Sequence, residues 1–190
     1  APSIKGLDSV PYLTNETLFS LTELPRRFGV IGGGPMGAEM AQSFARFGSE
    51  VSLITSNRGL MPNEDREAVA IVRKHMEKDG VHMLVGAHEL DVSITQDGSI
   101  RLLHDQARNG YDIEVDQLLV AVGRTPNVEG LGLDKAGVEF SEKGVVINDN
   151  FQTTNRRIYA AGDICSAYQF THAADFMARS VVKNALFKAI

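Results

Sequence analysis

Gly32, Gly34 and Gly37 form a G-x-G-x-x-G inside the stretch Val30-Ile31-Gly32-Gly33-Gly34-Pro35-Met36-Gly37-Ala38-Glu39. At this spacing the first glycine can make a tight turn and the second can let the backbone approach a pyrophosphate. The third can let a helix pack closely on a strand. The pyrophosphate would rest on the free N–H groups of the new helix, with Pro35 and Met36 in its first turn. Gly-rich turns of purely structural purpose share the spacing, so the surrounding elements must decide between the two. A second chemical signal lies where the following strand ends. An NAD site wants Asp or Glu about 20 residues past the glycines, accepting from the ribose 2′-hydroxyl. Here stand Thr55, Ser56, Asn57 and Arg58, with no carboxylate among them. A hydroxyl-rich loop with one arginine suits a 2′-phosphate, which takes a charge-assisted bond. Arg58 also reads as a solvated loop charge. The residues favour NADP over NAD.

The elements that would position these residues follow from periodicity. Residues 26–31 predict a strand. Met36, Met40, Phe44 and Phe47 then share one helical face, with Ala38, Ala41 and Ala45 beside it, and Gly48 closes the helix. Residues 51–54 predict a short buried strand. Pro62 and Asn63 announce a second helix, with Asn63 as its cap and Glu64 and Asp65 at its positive end. Val69, Val72 and Met76 continue the inward stripe to Gly80, and residues 81–85 give a third strand. A βαβαβ unit is complete by Gly86, one mononucleotide-binding half of an α/β fold. The period then changes. Residues 90–94 and 100–103 flank an Asp97-Gly98 turn, and Asn109-Gly110 is a second turn before 111–115, a three-stranded antiparallel meander. Residues 118–122 return to the parallel sheet. Beyond them the chain is loop-rich, with short strands expected at 145–147 and 158–160 and a helix over 173–190. Residues 1–9 read as a linker before the domain.

Composition excludes several classes. The 190 residues are 43% hydrophobic and 23% charged, an ordinary globular balance. A net charge of −5 offers no basic footprint for nucleic acid, and no apolar run approaches the length of a membrane span. The single Cys165 excludes an internal disulfide and points to a reducing, cytoplasmic setting. The five histidines show no pair at metal-ligand spacing, so no metal is expected. The chain opens Ala1-Pro2-Ser3 rather than with Met, as a piece of something longer would.

Four segments in order carry a more specific signal. They are Gly32 to Glu39, Ala121-Val122-Gly123-Arg124-Thr125-Pro126-Asn127, Ile158-Tyr159-Ala160-Ala161-Gly162-Asp163, and Thr171-His172-Ala173-Ala174. With them the chain resembles the flavoprotein pyridine nucleotide-disulfide oxidoreductases, dihydrolipoamide dehydrogenase- and mercuric reductase-like members above all. The resemblance implies a Rossmann-type NAD(P)-binding domain at 10–124 with the meander inserted. It implies that 125–190 is a return segment of an FAD-binding domain. It further implies a parent whose FAD-binding half carries a Cys-x4-Cys disulfide and whose last domain pairs two subunits into a homodimer. Neither of those parts is in this sequence.

By the same resemblance Glu39 would lie near nicotinamide and flavin; by position alone it is a carboxylate on the helix dipole. Pro35 stands where some relatives place an aromatic gate, and is otherwise a first-turn proline. Gly123 and Arg124 would line the nicotinamide side, or be a strand-end turn and a surface charge. Gly162 and Asp163 would meet the flavin, although Asp163 also reads as a helix N-cap. Cys165 reads as a small apolar residue. No catalytic residue is expected within the chain itself. The implied activity is an FAD-dependent oxidoreductase in which NAD(P)H reduces flavin and flavin reduces a disulfide or related acceptor, the isolated piece being inactive. A flavoprotein reductase without a disulfide, resembling ferredoxin reductases, and a non-catalytic NAD(P)-binding module are the alternatives.

Overall fold

The computed structural model describes residues 3–87, 89–104 and 110–187. They divide into two compact units, 1–123 and 124–190. The first unit is built on strand β1 (Arg27–Ile31), helix α1 (Pro35–Phe47), β2 (Glu50–Thr55), α2 (Arg66–Lys78) and β3 (Val81–Val85). The meander follows as β4 (Leu90–Ile94), β5 (Ile100–His104) and β6 (Tyr111–Val115), and β7 (Gln117–Val120) completes the unit. The parallel sheet has the order β3-β2-β1-β7. Its register sets Ile31 beside Ile54 on one side and Val120 on the other. Both faces of its central strands are covered, so they are continuous apolar runs rather than alternating ones.

Each helix begins and ends where its sequence provides for it. Pro35 at the first position of α1 has no N–H to leave unpaired. Ala38 and Ala41 are buried against the sheet, and Phe44 stacks on Phe28 of β1 with centroids 4.3 Å apart. Gly48 ends the helix, its N–H bonding to the Ala45 and Phe44 carbonyls. α2 departs from expectation at its start. Asp65, not Asn63, is the cap, one carboxylate oxygen accepting from the Glu67 and Ala68 N–H groups at 2.9 Å each. Val69 and Met76 are buried as expected and Val72 partly so.

The meander has the order β4-β5-β6, all antiparallel. Of its turns, Gly98 is in place, while Asn109 lies outside the described residues. Leu90, Val92, Ile100, Leu102 and Val115 point to one face and pack with Ile31, Ile54 and Leu118. Ile4, Leu7 and Val10 join the same cluster, and the Val92 N–H bonds to the Lys5 carbonyl at 2.9 Å. Ile4 and Leu7 of the segment expected as a linker are therefore core, while Lys5, Asp8 and Ser9 stay exposed. Three apolar residues within seven positions were enough to cover the meander face that the sheet leaves open.

The second unit contains a small hairpin of β8 (Phe140–Ser141) and β9 (Gly144–Val145), then helix α3 (Thr171–Leu186). The strand expected at 145–147 is thus two residues, and that at 158–160 is a single bridge between Gln152 and Tyr159. Side chains share the backbone groups that a longer ladder would use, the Ile158 carbonyl also accepting from the Thr153 N–H at 2.9 Å. The Asn148 carboxamide accepts from the Asn150 and Gln152 N–H groups, and the Thr153 hydroxyl bonds to the Asn155 and Ile158 carbonyls. α3 starts at Thr171, two residues before expectation, and residues 188–190 lie outside the described set. No helix among the described residues is long and apolar enough to cross a membrane.

Candidate dinucleotide site

β1 ends at Ile31, whose carbonyl accepts from the Ala121 N–H at 2.7 Å, while the Gly32 N–H reaches the Ile54 carbonyl at 2.9 Å. The turn is pinned between both neighbouring strands. Gly32 has φ +126°, and a β-carbon there would stand 2.3 Å from the Ala121 carbonyl oxygen. A β-carbon on Gly37 would stand 1.9 Å from the Gly32 carbonyl oxygen. These two glycines are filled by the protein itself. Gly34 differs: it has ordinary φ −73°, and a β-carbon there would meet nothing within 4 Å. The open space therefore lies over the second glycine, at the N-terminus of α1. No side chain caps that end, and the first α-helical bond runs from the Ala38 N–H to the Gly34 carbonyl. The earlier N–H groups of Met36 and Gly37 have no partner within the helix. Free donors, the positive dipole end and open space together fit a pyrophosphate.

The loop after β2 is tied to this turn. The Met61 N–H donates to the Gly33 carbonyl at 2.6 Å, and a β-carbon on Gly33 would strike the Thr55 methyl and the Gly59 carbonyl. Thr55 itself is buried, 3% exposed, with its hydroxyl donated to the Leu84 carbonyl at 3.3 Å. The hydroxyl turns inward to brace β3. Ser56, Asn57 and Arg58 lie beyond the strand. The Ser56 hydroxyl accepts from the Arg58 N–H at 3.3 Å, and the Gly59 N–H closes the turn on the Ser56 carbonyl at 2.9 Å. Asn57 and Arg58 are exposed. The Arg58 guanidinium donates through Nη2 to Asn63 Oδ1 at 2.9 Å. Arg66 spans the base of the loop, reaching the Met61 carbonyl and, at 2.8 Å, that of Glu64. Asn63, expected as the helix cap, partners Arg58 instead, and Arg66 has a bracing role that spacing alone does not reveal. An Asp two residues after the Asn was the available signal, since only one of them can cap.

Glu39 is exposed and lies on the second turn of α1, the first turn holding no acid. The helix opens at Pro35, which moves Glu39 away from the strongest part of the dipole.

The other candidates belong to the end of the first unit and to the second. Gly123 has φ +90° with open space around it. Arg124 donates from Nη1 to Asp163 Oδ2 at 3.0 Å and to the Gln169 carbonyl at 2.6 Å. Asp163 is consequently an ion-pair partner rather than a helix cap, and Arg124 is more than a loose surface charge. Gly162 precedes it with φ +83°, close against Ala174. Cys165 is half-buried, and burial pushes its thiol pKa up, the opposite of an activated nucleophile.

The sequence matches the pyridine nucleotide-disulphide oxidoreductase family over residues 1–178. It is 40% identical over 189 residues to a mercuric reductase from Bacillus cereus, covering 98% of this chain and 30% of that protein. It is 40% identical over 174 residues to a dihydrolipoyl dehydrogenase from Thermus scotoductus, covering 86% of this chain and 37% of that one. Among solved structures, the HOCl-induced flavoprotein disulfide reductase RclA from Escherichia coli superposes with a TM-score of 0.86 at 29% identity. That superposition covers all of this chain and 43% of RclA. The chain thus spans roughly a third of the curated relatives it matches, 30% and 37% of these two. On the match over 178 of its residues, and with the Gly-rich turn, parallel sheet and meander in place, the chain belongs to the pyridine nucleotide-disulphide oxidoreductase family.

Proposed function

We propose that the chain holds the pyridine nucleotide of a flavin-dependent oxidoreductase and that it prefers NADP(H) to NAD(H). One observation carries the first part. Of the three motif glycines, two are packed by protein and the middle one faces open space beside uncapped N–H groups. That division of labour is what a bound pyrophosphate requires and what a structural turn does not. The N-terminus of α1 binds the pyrophosphate, and the loop of Ser56, Asn57 and Arg58 receives the adenosine ribose. Arg58 is its cation, and no carboxylate stands at 55–58 to bond a bare 2′-hydroxyl.

When bound, reduced nicotinamide supplies a hydride and flavin accepts it for delivery to a disulfide or related acceptor. The chain contributes binding and orientation. In this reading 10–124 is the nucleotide domain and 125–190 the return segment of an FAD-binding domain. Glu39, Gly123 and Arg124 belong to the nicotinamide side, and Gly162 and Asp163 to the flavin. Asp163 fits a flavin hydroxyl in chemistry, being a half-exposed carboxylate oriented by Arg124. With one cysteine among its 190 residues the chain holds no dithiol, so it binds nucleotide without turnover of its own.

Calorimetric titration with NADPH and NADH in one buffer tests the proposal. NADPH binds more tightly, and Arg58→Ala lowers its affinity by about tenfold while sparing NADH. Equal affinities in the unaltered chain, or an Arg58→Ala loss shared by both nucleotides, would overturn the preference.

A further inference from the structure

We infer that Asn63 positions Arg58 for the 2′-phosphate, so that selectivity is carried by a pair of residues and not by a lone arginine. The inference rests on the reading of Arg58 as the phosphate cation. An exposed arginine on a loop has many rotamers to lose when it binds, and a partner that holds it beforehand lowers that cost. Asn63 is such a partner, its Oδ1 2.9 Å from the Arg58 guanidinium.

Three features make this pairing more than a passing surface contact. Asn63 is released from helix capping, because Asp65 already accepts the Glu67 and Ala68 N–H groups. Its loop is braced, with the Glu64 N–H on the Met61 carbonyl at 3.0 Å and Arg66 bonded to the Met61 and Glu64 carbonyls. The loop is also bonded to the pyrophosphate turn, through the Met61 N–H on the Gly33 carbonyl at 2.6 Å. A continuous run of bonds therefore fixes the Arg58 guanidinium relative to the Gly-rich turn. Asn63 is also neutral. It orients the guanidinium through one N–H and leaves the charge and the other donors for an incoming phosphate. A carboxylate in its place would orient Arg58 equally well but cancel its charge.

That last contrast supplies the test. The 190-residue chain, Asn63→Ala, Asn63→Asp and Arg58→Ala are titrated with NADPH and NADH at two salt concentrations. Asn63 is exposed, so each variant keeps the fold, which thermal unfolding verifies. Asn63→Ala weakens NADPH by about three- to tenfold and leaves NADH unchanged. Asn63→Asp keeps an acceptor for Arg58 yet weakens NADPH at least as much, and more so at low salt. A residue that only braced the loop would tolerate Asp and would affect both nucleotides alike. Unchanged NADPH binding in both Asn63 variants, with loss in Arg58→Ala, would overturn the pair while sparing the arginine. An equal loss of NADPH and NADH in Asn63→Ala would reduce Asn63 to a loop brace and overturn it too. No loss in any variant, or no binding of either nucleotide by the unaltered chain, would overturn the Arg58 reading and this inference with it.

Discussion

A β-carbon added at Gly37 would collide with the Gly32 carbonyl at 1.9 Å, whereas one added at Gly34 would meet nothing within 4 Å. The two substitutions therefore separate folding from binding. Gly37→Ala forces α1 off the turn and destabilises the chain by about 1–3 kcal/mol, the range for overpacking. Gly34→Ala sits at an unstrained φ of −73° with room for its methyl group, and costs at most about 1 kcal/mol for alanine at the N-cap. Its methyl group instead enters the space proposed for the pyrophosphate, and NADPH affinity falls by about tenfold or more. Thermal unfolding and titration of both variants check this, and a Gly34→Ala chain that binds normally would refute the placement. The glycines were legible in the sequence because their demands are made by the backbone, and spacing encodes backbone. Thr55 was not. Counting along the chain finds the end of β2, but not which side chain turns inward there, and it is the contact with Leu84 of the neighbouring strand that decides.

Between elements, Arg27 of β1 is tied to Asp116, which lies between β6 and β7. The Asp116 carboxylate accepts from the Arg27 backbone N–H at 2.8 Å and from Nε and Nη2 at 3.0 and 2.6 Å. The guanidinium reaches on to Ser99 and Glu114, so it joins the parallel sheet to the meander. Its hydrogen bonds hold the Asp116 carboxyl below the usual carboxylate range. A depressed folded pKa means stability that is present above the unfolded value near 4 and lost as pH falls through the folded one. Asp116→Asn lowers stability at pH 7 by about 0.5–1 kcal/mol, discounted because water reaches the pair. The gap between variant and parent narrows as pH falls below about 4 and closes below the depressed folded pKa, where the carboxyl is neutral in both states. A gap that persists undiminished at pH 2.5 would show packing, not charge, to be responsible. Most elements were readable at this scale, since a change of period from helical to alternating marks where the βαβαβ unit gives way to the meander. The strands at 145–147 and 158–160 were not, because Asn148 and Thr153 compete locally for the groups a strand would pair. Nor was the role of residues 4–10, whose burial depends on a meander face formed 80 residues later, as roughly spaced along the chain as loop closure tolerates at small extra cost.

Across the whole chain the apolar core is unevenly divided. Both hydrophobic clusters, from Ile4 to Leu118 and from Leu18 to Leu119, draw their buried members from the first unit. The second unit buries Val138, Val145 and Met177, and leaves Phe176, Val182 and Leu186 of α3 exposed at 67%, 52% and 73%. The helix expected over 173–190 thus shows an apolar face. Exposed apolar patches of this kind mark a surface that binds another one or drives association. A chain ending at Gly123 keeps both clusters, the Gly-rich turn and the Arg58 loop, and loses the exposed face of α3. Such a chain is expected to unfold cooperatively within a few degrees of the longer one, to keep NADPH binding at the Gly-rich turn and the Arg58 loop while losing what Arg124 adds on the nicotinamide side, and to stay monomeric where the longer chain associates. Calorimetry and light scattering over a concentration series measure all three. If the shortened chain loses NADPH altogether, Arg124→Ala in the longer chain tests whether that one residue accounts for the loss. If it unfolds without cooperativity, the core of the first unit is not self-sufficient, and the clusters must depend on residues beyond Gly123 for their packing.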